Sequence, residues 1–270
     1  MENQNIEPKN NTNLLWTGGW DSTFQLLRLL IKYKVPVSPY YLIDANRPST
    51  GMEILTMKKI KERLFTEYPY TKNLLNPIQY INVEDIPLDE NITKAYNSFL
   101  QYDHIGIQYE WLARLCQFLG IDNMQLSFEK PHVVNRKFLQ KLYEVLLKIN
   151  SNNQELFIID KKHKGQEIYT IFKYFHLPIW EISKKEMVGI AGEQGWTSIM
   201  NLTWFCHNPT CKGKSCGKCK PCQQVMTHDM KWRITFDRRL AYHYYVNFLW
   251  LIKSKIKLIL LNLGLMKKRN

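Results

Sequence analysis

The amino-acid sequence predicts an α/β protein with a doubly wound parallel sheet. Short apolar runs alternate with helical patterns over the first 200 residues, which is typical of βα units. A chain of 270 residues that is 45% hydrophobic and 13% aromatic can form a packed core and is not of the disordered class. Two glycines, Gly18 and Gly19, directly follow the first apolar run, where a strand of such a sheet would turn into its first helix.

The strands are predicted from apolar, β-branched and aromatic runs bounded by turn signals. Asn13–Thr17 ends at the glycine pair, and Ile78–Val83 follows the turn signal Asn76-Pro77. The predicted strands are residues 13–17, 37–43, 78–83, 126–128 and 156–159.

Helices are predicted where apolar residues recur with helical spacing. Phe24, Leu27 and Ile31 share one face of the first helix, and Gly120 is a stop signal for a later one. Ser183 and Glu186 have the spacing of a capping box, which starts a helix that runs to Gln194. The predicted helices are residues 21–34, 53–65, 108–119, 133–149, 168–175 and 184–194.

Positive charge is confined to the C-terminal quarter of the chain. Residues 201–270 hold 14 Lys and Arg against 2 Asp and Glu, whereas residues 1–200 hold 23 against 22. A diffusely basic, histone-like protein is therefore excluded. The composition predicts a flexible N-terminus (1–12), an α/β domain (13–200), a metal-binding segment (201–232) and a basic, apolar helix (233–270).

The first 13 residues are polar and lack the apolar core of a signal peptide. The longest apolar stretch, Leu249–Leu265, is interrupted by three lysines and is too broken to span a bilayer. We therefore expect a soluble, cytoplasmic protein.

The basic C-terminal helix has three interpretations, which we rank in this order. It can pair with a second copy of the chain, dock an acidic protein or tRNA, or lie on an anionic membrane. The basic residues concerned are Arg238, Arg239, Lys253, Lys255, Lys257, Lys267, Lys268 and Arg269.

The turn Thr17–Thr23 is predicted to bind phosphate. Adjacent glycines at a strand-to-helix turn present backbone N–H groups at the positive end of the helix dipole. The hydroxyls of Thr17, Ser22 and Thr23 would add donors, and the Asp21 carboxylate could cap the helix or hold Mg²⁺. Neither a Walker loop nor a dinucleotide fingerprint is present. The alternative is a glycine turn with a capping aspartate and no ligand.

Five of the six cysteines lie between Cys206 and Cys222, which indicates a metal site in a reducing compartment. The pattern C-x9-C-x2-C-x2-C can close a tetrahedron around Zn²⁺. With four protein ligands the zinc would be structural. Cys211 and His207 are competing candidates for the first ligand position, that of Cys206. The main alternative to a metal site is a redox-active pair of cysteines. The predicted ligands are Cys206, Cys216, Cys219 and Cys222.

The glycine turn resembles the S-G-G-x-D-S pyrophosphate loop of the N-type ATP pyrophosphatases, with Thr17 in place of the first serine. Together with the four cysteines it resembles the 7-cyano-7-deazaguanine synthase family. Three segments are similar to motifs of that family. Leu177–Val188 is similar to its proline followed by serine-lysine-x-glutamate. Leu202–Cys206 is similar to its leucine-threonine-tryptophan run, and Cys216–Cys222 is similar to its terminal cysteine motif.

This resemblance implies a HUP-type, Rossmann-like fold and the use of ATP, Mg²⁺ and structural Zn²⁺. It implies that ATP activates the carboxylate of 7-carboxy-7-deazaguanine as an acyl-adenylate, and that ammonia then yields an amide and finally a nitrile. Asp21 and Lys184 would be catalytic. The implied ATP and pyrophosphate site comprises Thr17, Gly18, Gly19, Trp20, Asp21, Ser22, Thr23, Ile43 and Arg47. A homodimer is also expected.

Three departures from the family are present, and the third leaves the acceptor open. Pro48 stands where the family has a histidine, and Glu53 lies two residues later than the family glutamate. The family's proline-glycine-arginine-asparagine segment has no counterpart. The nearest region is 102–111, where Gln108, Tyr109 and Trp111 could bind a purine-like base or simply form core.

We therefore favour a specialised relative that joins a deazaguanine to a protein or other amine, with antiviral defence as a context in which members of the broader family occur. The ordinary synthase of queuosine biosynthesis follows closely. The other candidates are a tRNA-modifying adenylating enzyme and a non-catalytic nucleotide-binding docking module. Sulfur transfer usually needs a free catalytic cysteine. Cys116 is the one cysteine outside the segment 206–222, and it lies in an apolar helical pattern that predicts a core residue.

Overall fold

The computed structural model describes residues 11–101, 105–130, 137–151, 153–227, 230–249, 251–252, 255–256 and 259. The chain divides into two compact units, residues 1–204 and 205–270, which we call the N-terminal and C-terminal units. No helix among the described residues is long and apolar enough to cross a membrane.

Strands occupy only the N-terminal unit in the described part of the chain. They are β1 (Thr12–Leu15), β2 (Val37–Ile43), β3 (Gln79–Asn82), β4 (Met124–Gln125), β5 (Leu146–Ser151), β6 (Gln154–Ile159) and β7 (Phe175–His176). The helices are α1 (Trp20–Leu27), α2 (Thr50–Glu67), α3 (Glu90–Leu100), α4 (Gln108–Leu119), α5 (Lys137–Val145), α6 (Glu167–Phe172), α7 (Lys184–Glu193), α8 (Thr197–Met200), α9 (Lys220–Thr227) and α10 (Phe236–Tyr244).

The main sheet has five parallel strands in the order β3-β2-β1-β4-β7, which confirms the predicted fold class. The chain runs outward from β1 to β3 and then returns to the other side of β1. The strand order therefore reverses between β1 and β4, where ligands bind in open α/β sheets. β1 is buried and pairs with both neighbours through Leu14.

The helices of the N-terminal unit pack in two groups. α1 packs against α7 and α8, and the rings of Phe24 and Trp196 meet edge to face at 6.0 Å. α3, α4 and α6 pack against one another and enclose a second apolar cluster that includes Leu112 and Phe172. Because each group buries its own apolar side chains, the sheet is covered as a doubly wound fold requires.

The predicted helix over 133–149 is wrong at its C-terminal end. α5 ends at Val145, and β5 and β6 form an antiparallel hairpin that is separate from the main sheet. Asn153, in the turn of this hairpin, has a φ of +60°, a conformation that asparagine tolerates better than most residues. Residues 131–136 lie outside the described part of the chain.

Three further elements differ from the prediction. β4 lies two residues before the predicted strand at 126–128, and β7 takes residues that were predicted as helix. Phe175 pairs with Met124, so completion of the sheet edge outweighs the helical spacing. α3 was missed, although Asp89 caps it by accepting a hydrogen bond from the Ile92 N–H.

The ends of the chain differ from the predicted division. Thr12, assigned to a flexible N-terminus, begins β1, while residues 1–10 lie outside the described part. In the C-terminal unit α10 continues as a π-helical turn, Tyr245–Leu249. Of the predicted basic residues, Lys253, Lys257, Lys267, Lys268 and Arg269 lie outside the described residues.

Candidate active site and metal centre

The glycine turn joins β1 to α1 at the edge of the sheet where the strand order reverses. Gly18 has a φ of +67°, and a Cβ atom there would lie 3.1 Å from Met57 Cγ and 3.3 Å from the Glu53 carbonyl oxygen. Glycine is therefore required both by backbone conformation and by close packing against α2. The Trp204 N–H donates to the Gly18 carbonyl at 3.0 Å and holds the turn from its other side.

Hydroxyl groups brace the inside of the turn. Thr17 Oγ1 and Ser22 Oγ share a hydrogen bond of 3.2 Å, and the Thr17 N–H lies 3.3 Å from the same Ser22 oxygen. The threonine at position 17 therefore supplies the hydroxyl of the serine that it replaces in the resembled loop. The side chain of Trp20, the next residue after the glycine pair, is buried.

Thr23 lies in the core and not at the surface of the turn. Its side chain is fully buried, and its hydroxyl accepts a hydrogen bond of 3.1 Å from the Trp16 indole N–H. Its predicted contribution as a phosphate donor therefore has no support in the structure.

Lys184 is brought to the glycine turn by α7. The predicted capping box is present, because Ser183 accepts from the Glu186 N–H and Glu186 accepts from the Ser183 N–H at 2.8 Å. This cap fixes the first turn of α7, and Lys184 Nζ lies 3.4 Å from Asp21 Oδ2. The two predicted catalytic residues are thus adjacent although 163 residues separate them in sequence.

Glu129 completes this group and was missed by the sequence analysis. Its carboxylate contacts Lys184 Nζ, so that the lysine lies between two carboxylates. Glu129 follows β4, whose carboxyl end lies beside that of β1. The available signal was a carboxylate four residues after a strand, but the sequence did not reveal that this strand lies beside β1.

The charge on Lys184 is stabilised where it lies. Burial alone would lower the pKa of the amine, but the Asp21 and Glu129 carboxylates outweigh it and raise the pKa above its ordinary value. The side chain is a cation at neutral pH and is only 20% exposed. A desolvated cation of this kind is suited to a phosphate or a pyrophosphate leaving group.

The other oxygen of Asp21 fits a divalent cation. Asp21 Oδ1 is buried and has no hydrogen-bond partner among the described residues. A carboxylate oxygen in this state, at the N-terminus of a helix that can bind phosphate, is the ligand type that Mg²⁺ prefers. Asp21 would hold the cation, which would neutralise charge on the phosphates of a bound nucleotide.

A second polar cluster follows β2. Glu53 is buried and accepts hydrogen bonds from Ser49 Oγ at 2.7 Å and Tyr41 Oη at 2.9 Å. Arg47 Nη1 lies 3.5 Å from the same carboxylate, and Ile43, which ends β2, is half-buried. Burial, and then the Glu53 charge, raises the pKa of Tyr41, so its phenol stays protonated and donates. Glu53 therefore pairs with Arg47 although it lies two residues later than the glutamate of the resembled family.

The predicted base-binding side chains lie at the start of α4. Tyr109 is half-buried in an aromatic cluster, with its ring 5.3 Å from that of Phe172 and 6.3 Å from that of Phe128. Trp111 also packs against the apolar cluster, whereas Gln108 is half-buried without a described core contact. The first residues of this region, 102–104, lie outside the described part of the chain.

The four predicted metal ligands converge in the C-terminal unit. The sulfur atoms of Cys206, Cys216, Cys219 and Cys222 all lie within 4.8 Å of one another. The Cys206–Cys219 and Cys216–Cys222 sulfur pairs are each 3.8 Å apart and the Cys219–Cys222 pair is 3.4 Å apart, compared with about 3.8 Å for tetrahedral zinc with Zn–S bonds of about 2.3 Å. Cys211, the competing ligand, is exposed and stands outside this group.

Backbone N–H groups lie close to two of the sulfur atoms. The Cys219 N–H and Lys218 N–H each lie 3.3 Å from Cys216 Sγ, and the Cys216 N–H lies 3.1 Å from Cys206 Sγ. Hydrogen bonds among the cysteines lower the pKa of Cys219 and raise the pKa of Cys206 and of Cys222, so that the thiolate charge is concentrated on Cys219. These donors and the tetrahedral spacing fit a structural zinc ion, and four thiolates are also a ligand set for an iron–sulfur cluster.

Gly217 lets the cysteine loop approach α10. Its φ is +75°, and a Cβ atom there would lie 2.5 Å from the Arg238 carbonyl oxygen, which no side chain can accommodate. The metal site thus shares its packing with the start of α10.

The protein has an α/β fold with a glycine turn that can bind phosphate, and it carries four cysteines that could bind a metal ion. The family of the queuosine biosynthesis protein QueC matches residues 162–227. This segment includes Lys184 and all four cysteines. The resemblance to that family is therefore confirmed over this part of the chain.

Among solved structures, one similar to this chain is the U34-tRNA thiolase NcsA from Methanococcus maripaludis with its [4Fe-4S] cluster. The match covers 92% of this chain and 75% of the thiolase chain, with a TM-score of 0.40 and 11% sequence identity. No curated protein sequence matches the chain.

Substitution of Gly18 tests whether the turn is built for a ligand. Gly18→Ala is expected to destabilise the protein by about 1–2 kcal/mol, because L residues disfavour positive φ, and to weaken ATP binding. Gly51→Ala in α2, where a Cβ atom meets nothing within 4 Å, is the matched control and is expected to be neutral or stabilising. Thermal unfolding and ATP titration would measure both effects. Unchanged ATP affinity in a folded Gly18→Ala protein would contradict the phosphate-binding assignment.

Proposed function

We propose that this protein is an ATP-dependent ligase that adenylates the carboxylate of 7-carboxy-7-deazaguanine, or of a close deazapurine, and releases pyrophosphate. The proposal is carried by the contact between Lys184 and Asp21 at the N-terminus of α1. Both residues match motifs of the resembled families, and the fold brings them together from α1 and α7. The QueC-type match over residues 162–227 supports the same assignment.

Each group has a role in the adenylation step. The substrate carboxylate oxygen attacks the α-phosphorus of ATP, and the bond from that phosphorus to the bridging oxygen of pyrophosphate breaks. Backbone N–H groups of the turn and the Lys184 cation would stabilise the charge that develops on the leaving pyrophosphate. Asp21 would orient Lys184 and hold Mg²⁺, while Glu129 would keep the lysine in place.

The second step is acyl transfer to an amine. The amine nitrogen attacks the acyl carbon, the bond to AMP breaks, and the amine loses a proton. Because any amine held in line can react, positioning decides the product. Ammonia would give an amide and, after a second activation by ATP, a nitrile, as in queuosine precursor synthesis.

We favour a protein or other larger amine as the acceptor, with antiviral defence as the proposed context. This choice depends on the departures in the middle of the chain. Pro48 replaces a family histidine, and the family's proline-glycine-arginine-asparagine segment is missing. Tyr109, in the nearest region, packs in an aromatic cluster. These changes alter the acceptor side of the site and leave the glycine turn and Lys184 intact.

The direct test incubates purified protein with Mg-ATP and 7-carboxy-7-deazaguanine, with and without ammonium. Release of pyrophosphate and AMP is measured, and the base is followed by mass spectrometry. We expect pyrophosphate release that depends on the deazaguanine. A nitrile product would identify the ordinary synthase, and arrest at the adenylate would point to a missing amine partner. No pyrophosphate release would overturn the proposal and favour either the tRNA-modifying enzyme or the docking module.

A substitution at Cys116 distinguishes the adenylation hypothesis from the hypothesis of sulfur transfer by a protein thiol. Cys116 is fully buried, and burial raises the pKa of its thiol to about 12, so it is a poor nucleophile at neutral pH. We expect Cys116→Ala to retain pyrophosphate release and to cost about 1 kcal/mol of stability through the lost side-chain volume. When the metal site is loaded, a thiol reagent should alkylate the exposed Cys211 but leave pyrophosphate release unchanged. Loss of turnover in a folded Cys116→Ala protein would favour sulfur transfer.

A further inference from the structure

The C-terminal unit carries a continuous stripe of exposed apolar side chains. The stripe begins at Phe236 and continues at every fourth position, and its members are between 42% and 73% exposed. We call it the apolar stripe, and it comprises Phe236, Leu240, Tyr244, Phe248, Ile252 and Ile256. Isolated exposed apolar residues are ordinary, but a row of this length marks an interaction surface.

The π-helical turn reduces the drift of this row around the helix axis. In an α-helix of 3.6 residues per turn, a four-residue repeat drifts by about 40° at each step and would wrap around the helix. The turn Tyr245–Leu249 takes more residues per turn and so offsets the drift in the middle of the stripe. The Tyr244 and Phe248 rings stack at 5.6 Å across it, which shows that the face is continuous there.

The charge around the stripe is of one sign. From Arg238 onward the sequence holds eight Lys and Arg and no Asp or Glu. Asp237, at the start of α10, is already occupied, because it pairs with Lys214 at 3.2 Å and with Arg238 at 3.0 Å. The surface therefore combines exposed apolar side chains with a uniform excess of positive charge.

We propose that the apolar stripe docks on an anionic lipid surface, with its apolar side chains at the boundary between headgroups and acyl chains and its basic side chains on lipid phosphates. The charge argues against a second copy of the chain, since two such helices would bring like charges together. Three of the six members, Leu240, Ile252 and Ile256, are aliphatic and offer RNA neither stacking nor hydrogen bonds, whereas acyl chains accept aliphatic and aromatic side chains alike. A helical segment that combines exposed apolar side chains with an excess of Lys and Arg is the pattern by which amphipathic helices lie on anionic membranes.

The test uses the full chain and sedimentation with phospholipid vesicles. We expect binding to vesicles of phosphatidylcholine with about 30% phosphatidylglycerol, little binding to phosphatidylcholine alone, and weaker binding as NaCl rises from about 0.05 M to about 0.5 M. Leu240→Glu and Phe248→Glu are each expected to lower the vesicle partition coefficient about tenfold or more. Lys255→Glu, which reverses an exposed charge, is expected to lower it by about tenfold as well.

Matched controls lie on exposed positions of the N-terminal unit. Phe118→Glu, at a residue that is 61% exposed, and Lys185→Glu should leave vesicle binding unchanged. Because the substituted side chains are exposed, thermal unfolding should match that of the wild type. Absence of vesicle binding, equal binding to neutral vesicles, or equal loss in the controls would overturn the proposal. So would a dimer that Leu240→Glu converts to monomer without any lipid binding, or tRNA that binds in place of vesicles.

Discussion

Lys184→Gln is expected to lower the rate of pyrophosphate release by roughly 10²–10³-fold, the size of effect seen when one preorganised electrostatic group is removed from an active site. Lys184 is the cation between Asp21 and Glu129 beside the phosphate-binding turn. Glutamine retains a hydrogen-bond donor for both carboxylates but carries no charge. The rate at saturating ATP and 7-carboxy-7-deazaguanine measures the effect.

The matched control is Lys185→Gln, the exposed neighbour in the same turn of α7, for which we expect no change in rate. Glu129→Gln should lose less activity than Lys184→Gln, because Asp21 still orients the lysine. Metal content and thermal unfolding should be the same in all three variants. A folded Lys184→Gln enzyme with wild-type turnover would remove Lys184 from the catalytic site, and with it the observation on which the proposed function depends.

Cys222→Ser and Cys206→Ser are each expected to release one equivalent of zinc and to unfold much of the C-terminal unit. Structural zinc contributes about 10–16 kcal/mol of binding free energy in zinc-finger peptides at neutral pH, and both cysteines are buried within the sulfur cluster. Elemental analysis and the thermal unfolding of each variant would measure the loss. The Gly217 contact couples the cysteine loop to α10, so the melting of both should shift together.

Cys211→Ser serves as the control, because Cys211 is exposed and outside the cluster. It should retain the metal. Metal release by Cys211→Ser but not by Cys206→Ser would contradict the ligand set. Iron and acid-labile sulfide in protein purified without oxygen would replace the zinc assignment with an iron–sulfur cluster.

The parts of the site that depend on local sequence were predictable. The glycine turn follows from two glycines between an apolar run and an amphipathic helix, and the capping box of α7 follows from Ser183 and Glu186. The cysteine cluster follows from ligand spacing, and the structure selects Cys206 over Cys211 as its first member. Each of these signals lies within a few residues and reflects backbone geometry or ligand reach.

Other features depend on which segments meet in space. Glu129 became a member of the site only because β4 lies beside β1, and β7 forms because Phe175 can pair with Met124 at the sheet edge. The hydroxyl of Thr23 was expected at the turn, but α1 rotates it into the core against Trp16. Side-chain spacing alone does not distinguish these outcomes.

The sequence by itself determined the fold class, the glycine turn, the start of α7 and the cysteine pattern, because hydrophobic periodicity, glycine, capping and ligand spacing act over short distances along the chain. The tertiary structure alone decided that Lys184 lies between Asp21 and Glu129, and that a π-helical turn lets the Tyr244 and Phe248 rings stack within the apolar stripe. The first depends on strand order and the second on helix winding, and neither is encoded in the spacing of any single segment.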